Sequence, residues 1–276
     1  MADGPTIAKR SAMNSLNSFF DPNARTSEVF AMGGTGHVAL VVILFGLLGV
    51  LIIFRKELSK LRDNRGLMAG TAAFILSIEL VSLALTFIYP IEHTFERIPL
   101  HLCASLKIAV ATLILLRRYD LMKYISTWSI GAGFISFVNL NLEGASFGNF
   151  MFWHYFAGHT FLFLAPILLF LTGDFRYDLR FQARSMAALA VWSLVIFFVN
   201  WKFDTNYMYT GPHNETAVPF IPDNLMVWPL NYVSYCLVGL VLLSLVSAVL
   251  RICQGRMDGA STRGATAPLS GATSGR

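Results

Sequence analysis

Charge is what this sequence has least of. Only 13% of its 276 residues are charged, against 55% hydrophobic, and that leaves too little polar surface to cover a soluble core of this size. Cysteine is almost as scarce. Cys103, Cys236 and Cys253 are the three present, and none falls in a segment that reads as an outer loop, so no disulfide framework is visible. The first 34 residues are polar and lack a continuous apolar stretch, which argues against a cleaved signal peptide. No internal repeat marks a solenoid, and no lysine lies in residues 225–250, which excludes a retinal attachment site in the last apolar run.

What is present in abundance is apolar length. Runs of about 20 residues, enough to cross a bilayer, lie at roughly 35–54, 67–89, 98–116, 121–140, 150–172, 184–203 and 225–250. The pattern predicts an all-α polytopic bundle of seven transmembrane helices over 35–250. It is flanked by a polar N-terminal tail at 1–34 and a disordered tail at 251–276 that is rich in Gly, Ala, Ser and Thr. Basic residues collect in alternate connections: Arg55, Lys56, Lys60, Arg62 and Arg65, then Arg117, Arg118 and Lys123, then Arg176, Arg180 and Arg184, then the C-terminal tail. Short basic loops stay on the cytoplasmic side, so the N-terminus is expected outside and the C-terminus inside. The formal charge of +5 follows from this topology and requires no nucleic-acid partner. The composition places the chain in a membrane, in the cell membrane if it is bacterial. The triplet Asn214-Glu215-Thr216 reads as a glycosylation sequon in an outer loop.

Ionisable residues inside spans are costly and face partners or cavities, so each one needs a reason. Glu79 and Lys107 fall at depths that agree within about one residue on adjacent antiparallel spans, which predicts an ion pair. Lys107 also stands one turn below Cys103 on nearly the same helix face, where a cation favours a thiolate. Cys103 occupies the first turns of a helix that begins after Pro99, where free amides and the helix dipole stabilise an anion. Cys236 and Cys253 have no polar company and read as packing.

A nucleophilic thiol needs a base. In "FWHYFAGHT", His154 and His159 are five residues apart and cannot face one point, so a zinc site is not indicated and no metal or cofactor is expected. His159 lies deeper, after Gly158, and is the candidate base. His154, among aromatic residues near the headgroups, is assigned to substrate or interface, and His101 to substrate. In "NWKFDTNYMYTG", Asn200 and Asp204 share a helical face, while Asn206 and Tyr207 are candidates to support an oxyanion. A solvated turn at a helix C-terminus is the plainer reading of that stretch.

Gly36-His37 at the first span, "PLHLC" at the third, "GH" in the fifth, "TNYM" after the sixth and "WPLNY" at the seventh resemble the YwaF-type bacterial membrane proteins and transmembrane protein 164 of animals. The resemblance covers about residues 30–250. It implies a cysteine-dependent acyltransferase that moves acyl chains between a phospholipid and a lysophospholipid, with the nucleophile and histidine falling on Cys103 and His159. A thioester would form on Cys103, with Lys107 and Asn206 facing the oxyanion, and either a lysolipid hydroxyl (acyltransferase) or water (acyl hydrolase) would take the acyl group. The competing expectation is a non-enzymatic protein, either a small-solute transporter or a lipid-binding factor that uses a Glu79–Lys107 pair.

Overall fold

A computed structural model describes residues 18–22, 30–89, 98–138, 142, 145–212 and 222–265. The sequon at 214–216 and the tail beyond 265 lie outside the described residues. Among those described, the regular elements are helical: α1 (Thr35–Ile53), α2 (Arg55–Asp63), α3 (Arg65–Ile88), α4 (Leu102–Leu115), α5 (Met122–Val138), α6 (Phe150–Leu171), α7 (Leu179–Phe203) and α8 (Leu230–Ala265), with short 3-10 turns between them. Among the described residues, five helices are long and apolar enough to cross a membrane: α1, α3, α6, α7, and α8 over Leu230–Asp258. The runs expected at 98–116 and 121–140 give shorter helices of 14 and 17 residues.

The two short helices lie in the interior. α4, α5 and α6 pack on one another, α3 covers α4 and α6, α1 lies on α6, and α7 and α8 lie on α5. Burial follows this order: 56% of the apolar window of α6 is inside the protein, against 6% for α1 and 11% for α7. The peripheral helices therefore turn Val42, Phe45, Phe74, Val191, Phe198 and Leu245 outward, as helices facing lipid do. α8 continues past Leu250 to Ala265, into the stretch expected to be disordered. Residues 18–22 of the polar N-terminal tail are also placed: the Asn149 amide donates to the Asp21 carbonyl (2.8 Å), and Phe19 and Phe20 pack against Phe150.

Helix ends are closed by side chains. Asn64, Asn149 and Asp178 cap α3, α6 and α7 by accepting from Leu67, Met151 and Arg180 N–H groups. At the C-terminus of α5, where four carbonyls have no partner within the helix, the Tyr155 hydroxyl donates to Ser136 O (2.7 Å) and His37 Nε2 donates to Phe137 O (2.7 Å). The Gly33 amide donates to His37 Nδ1 (2.8 Å), which fixes the tautomer with its proton on Nε2. At the basic end, Arg62 of α2 bridges to Asp174 between α6 and α7 (3.0 Å).

Pro166 interrupts α6, because proline has no N–H to donate to the carbonyl four residues earlier. That carbonyl, Leu162 O, instead accepts the Ser129 hydroxyl of α5 at 2.7 Å. In the apolar interior such a vacated acceptor must be re-satisfied. Ser129→Ala is accordingly expected to destabilise the protein by about 1–3 kcal/mol, read as a lower unfolding midpoint in detergent, with Ser129→Thr closer to wild type.

The α5–α6 contact that brings the polar residues together depends on Gly133. A Cβ there would lie 2.8 Å from Phe163 N and 2.9 Å from His159 O, so any larger residue would force the two backbones apart.

Candidate functional site

The buried polar residues converge where α3, α4 and α6 meet. Lys107 of α4 forms an ion pair with Glu79 Oε1 of α3, as equal depth predicts, and the two side chains are 3% and 9% exposed. His154 of α6 joins them: its Nε2 lies 2.8 Å from the same Oε1 and 3.2 Å from Lys107 Nζ. One carboxylate oxygen thus serves two nitrogens. Sequence reasoning placed His154 in an interfacial belt; the structure turns it inward, stacked on Phe150 (6.0 Å, 21°), which carries Phe19 and Phe20 on its other contacts.

Lys107 reaches this position because residue 158 is glycine. A Cβ at Gly158 would lie 2.6 Å from Lys107 Cδ and 3.2 Å from Nζ. What approaches Gly158 is thus a side chain, that of Lys107, rather than a neighbouring backbone.

His159 is buried, with Nδ1 2.6 Å from the Tyr155 carbonyl. A carbonyl only accepts, so Nδ1 carries the proton and the neutral ring holds its lone pair on Nε2. Among the described residues, Nε2 makes no hydrogen bond. The Tyr155 ring sits against the imidazole, with centroids 4.2 Å apart.

Cys103, half-buried in the first turn of α4, has its Sγ 4.0 Å from Ser136 Oγ. Ser136 in turn donates to Ala132 O. Cys103 and His159 share no hydrogen bond among the described residues. They are brought to the same face of α5 through residues one helical turn apart: Ser136 beside the thiol and Gly133 against the His159 backbone. Tyr155 ties the two sides by bonding to Ser136 O through its hydroxyl and to His159 through its carbonyl. Ser136 and Tyr155 were missed from sequence. The available signal for Tyr155 was its i,i+4 spacing to His159.

The remaining candidates belong to the connection after α7. Asn200, fully buried, accepts from Tyr207 N and Thr205 Oγ1 and donates to Tyr207 O and Thr210 Oγ1, using all of its amide capacity. Asn206 Oδ1 accepts from Gly211 N–H (3.0 Å), and Tyr207 is 1% exposed with its ring edge-on to His101 (5.2 Å). His101 Nδ1 accepts the Met208 N–H (3.3 Å). Asn206, Tyr207 and His101 are thus joined in the folded connection after α7, and none of them bonds to Cys103 among the described residues. Asp204, Met208 and Tyr209 there hold φ between 54° and 58°, a left-handed conformation that ordinary residues adopt only where surroundings impose it. Gly211 is obligatory in this turn, since a Cβ would fall 2.0 Å from Thr205 O.

Cys236 and Cys253 are exposed on α8, away from this cluster. Among the described residues, no three His, Cys, Asp or Glu side chains come together as a metal site.

The sequence model of the TMEM164 family matches residues 31–247. The chain belongs to the TMEM164 family. The matched stretch runs from the start of α1 into α8, so it includes Glu79, Cys103, Lys107, His154 and His159, and the family assignment extends over the whole polar cluster. No curated protein and no solved structure matches the chain. With five helices able to cross a membrane, this TMEM164 family member is an integral, multi-pass membrane protein.

Proposed function

We propose that this protein is a membrane-embedded acyltransferase for glycerophospholipids that works through a thioester on Cys103. The reading is supported chiefly by one arrangement. A half-buried thiol at a helix N-terminus lies beside Ser136 of α5, the backbone of His159, whose Nε2 makes no hydrogen bond among the described residues, packs against Gly133 one turn away, and a buried lysine stands on the thiol's own helix. It is also supported by the resemblance of "PLHLC" and "GH" to the transmembrane protein 164 pattern. The proposal includes seven spans with the N-terminus outside. α4 and α5 lie inside the bundle, where non-helical flanking residues can complete a crossing within protein, and the basic clusters alternate as such a topology requires.

In the mechanism, Cys103 gives up its proton as Sγ attacks an ester carbonyl, and Nε2 of His159 accepts the proton of the attacking group. The oxyanion faces the first-turn amides of α4 and the charge of Lys107. Collapse breaks the C–O bond, the imidazolium returns its proton to the departing lysolipid oxygen, and a thioester remains. A second lysolipid hydroxyl reverses these steps and restores the thiol. Cys103 lies roughly 8 Å below the outer boundary at 1.5 Å per residue, the level of glycerol esters.

The thioester is the test. Protein in liposomes with a phospholipid labelled on its acyl chain is expected to acquire label that neutral hydroxylamine removes, and Cys103→Ser is expected to acquire none. Hydroxylamine-stable label, or equal label in Cys103→Ser, would sink the proposal.

A second reading has its own observation: the buried Glu79–Lys107 pair with His154 attached also suits a proton-linked transporter or a lipid-binding factor. It would prevail if Cys103→Ala were silent in every assay and Glu79→Gln were not.

A further inference from the structure

We propose that a hollow at the basic end of the bundle binds the headgroup of an aminophospholipid, with the phosphate on Lys123 and the ammonium on Asp178. The place comes first. α6 and α7 are both long and apolar enough to cross a membrane, so their connection at 172–178 lies at a membrane surface, the level of lipid headgroups. Asp174, Arg176 and Asp178 of that connection, Phe181 of α7, and Asp120 and Lys123 beside the start of α5 line a hollow of about 250 Å³. At about 30 Å³ per water it has room for roughly eight waters, and hence for a phosphate joined to a short aminoalkyl arm. It lies at the far end of α4 from Cys103 and is no part of the thiol site.

The charges lining the hollow pair off and leave one of each sign. Asp174 is held by Arg62 (3.0 Å) and by the Thr172 hydroxyl (2.6 Å), Asp120 by Arg118 (3.2 Å), and Arg176 by Asp258. Lys123 forms no ion pair among the described residues. Its Nζ rests over the rings of Phe181 (4.2 Å to the centroid) and Tyr124 (5.4 Å), which attract the cation but leave N–H donors of the ammonium without an oxygen to receive them. Asp178 caps α7 through Oδ1, which accepts the Arg180 N–H (2.8 Å), and its Oδ2 makes no hydrogen bond among the described residues.

A ligand that satisfies both groups carries an anion and a cation a few atoms apart. A phosphodiester linked through an ethylene arm to a primary ammonium does so: its phosphate oxygens accept from Lys123 and its ammonium donates to Asp178 Oδ2. A purely anionic headgroup would set a phosphate against Asp178, and a quaternary ammonium has no N–H to donate. The surface beside the hollow suits the acyl chains of a lipid. Leu179, next to Asp178, is 59% exposed, and Val191 and Val195 farther along α7 also face outward.

The experiment presents the full chain in detergent with phosphatidylethanolamine, phosphatidylcholine and phosphatidylglycerol of one acyl composition at equal concentration, and reads retained lipid by native mass spectrometry. The wild type is expected to hold phosphatidylethanolamine about fivefold in preference to either competitor, the ratio that one charge near a membrane surface gives. Asp178→Asn keeps the cap of α7 but not the charge, and is expected to bring phosphatidylethanolamine down to the level of phosphatidylcholine. Lys123→Met keeps a stem to lie on Phe181 and is expected to lower retention of all three lipids about fivefold. Lys123→Gln takes its place should unfolding midpoints show that Lys123→Met has not folded. Lys56→Gln, at an exposed basic position of α2, is expected to change nothing. Glycerophosphoethanolamine, the same headgroup without chains, is expected not to displace the lipid. Equal retention of the three lipids by the wild type, or selectivity that survives Asp178→Asn, would overturn the proposal. So would a preference for phosphatidylglycerol that Lys56→Gln weakens as much as Lys123→Met does, which is general attraction to a basic surface. Displacement by glycerophosphoethanolamine would overturn the assignment to a lipid.

Discussion

Cys103→Ser is expected to abolish acyl transfer, leaving product at the level of protein-free liposomes. A serine hydroxyl is nearly isosteric with the thiol, so the contact with Ser136 and the packing of α4 persist and the loss reports chemistry. The difference lies in chemistry: a serine hydroxyl is a far weaker acid than a thiol and cannot replace it as the nucleophile of the proposed thioester route. His159→Ala is expected to be milder, a loss of about 10² to 10⁴-fold, the usual contribution of one general base, while the thiol can still ionise. Formation of a labelled lysolipid-derived product over time, measured with wild type and both variants at equal folded concentration, gives the comparison. Transfer by Cys103→Ser at more than a few per cent of wild type would mean that Cys103 is packing and that acyl chemistry, if present, is carried elsewhere.

How much of this could be read in advance depended on the kind of interaction. Glu79 and Lys107 were legible because two opposite charges at one depth in an apolar medium have few alternatives to pairing. Cys103 and His159 could be singled out by residue type and helix position, and what the structure adds is the thiol beside Ser136 and the His159 carbonyl beside Gly133. His154 was misjudged for an identifiable reason. The i,i+5 spacing was tested against His159 on the same helix, whereas its partners Glu79 and Lys107 come from α3 and α4, and nothing in the local pattern encodes a third helix. Tyr155 and Ser136 were invisible because their links run to backbone carbonyls, which every residue possesses. The same holds for the connection after α7. Asn200 holds it through main-chain groups of Tyr207, so the string "TNYM" shows the polar side chains but not that Asn206 is committed to Gly211. The helices α4 and α5 are shorter than the runs at 98–116 and 121–140 from which spans were expected, because apolar length alone does not show where a helix ends or whether it lies inside the bundle.

Glu79→Ala is expected to cost the most stability of any single substitution in the cluster, about 3–5 kcal/mol, as when one partner of a buried ion pair is deleted. The carboxylate satisfies Lys107 and His154 at once. Removing it leaves an ammonium that is 3% exposed without the carboxylate that holds it, on a stem packed against Gly158. For a chain of this size the loss corresponds to roughly 6–20 °C in the unfolding midpoint, measured in detergent or in nanodiscs. The decisive comparison is Glu79→Met with Lys107→Met. If the cost of the single change is an orphaned charge, the double change removes both charges, fills the space with apolar stems of similar length, and restores most of the stability, although it removes activity. If the cost is a cavity, the double variant recovers nothing. A stable but inactive double variant would show that the pair is retained for what it does beside Cys103, since the fold can do without it. A midpoint within about 2 °C of wild type for Glu79→Ala would show that Lys107 finds another partner or sheds its proton, and the account of an orphaned buried charge would have to be abandoned.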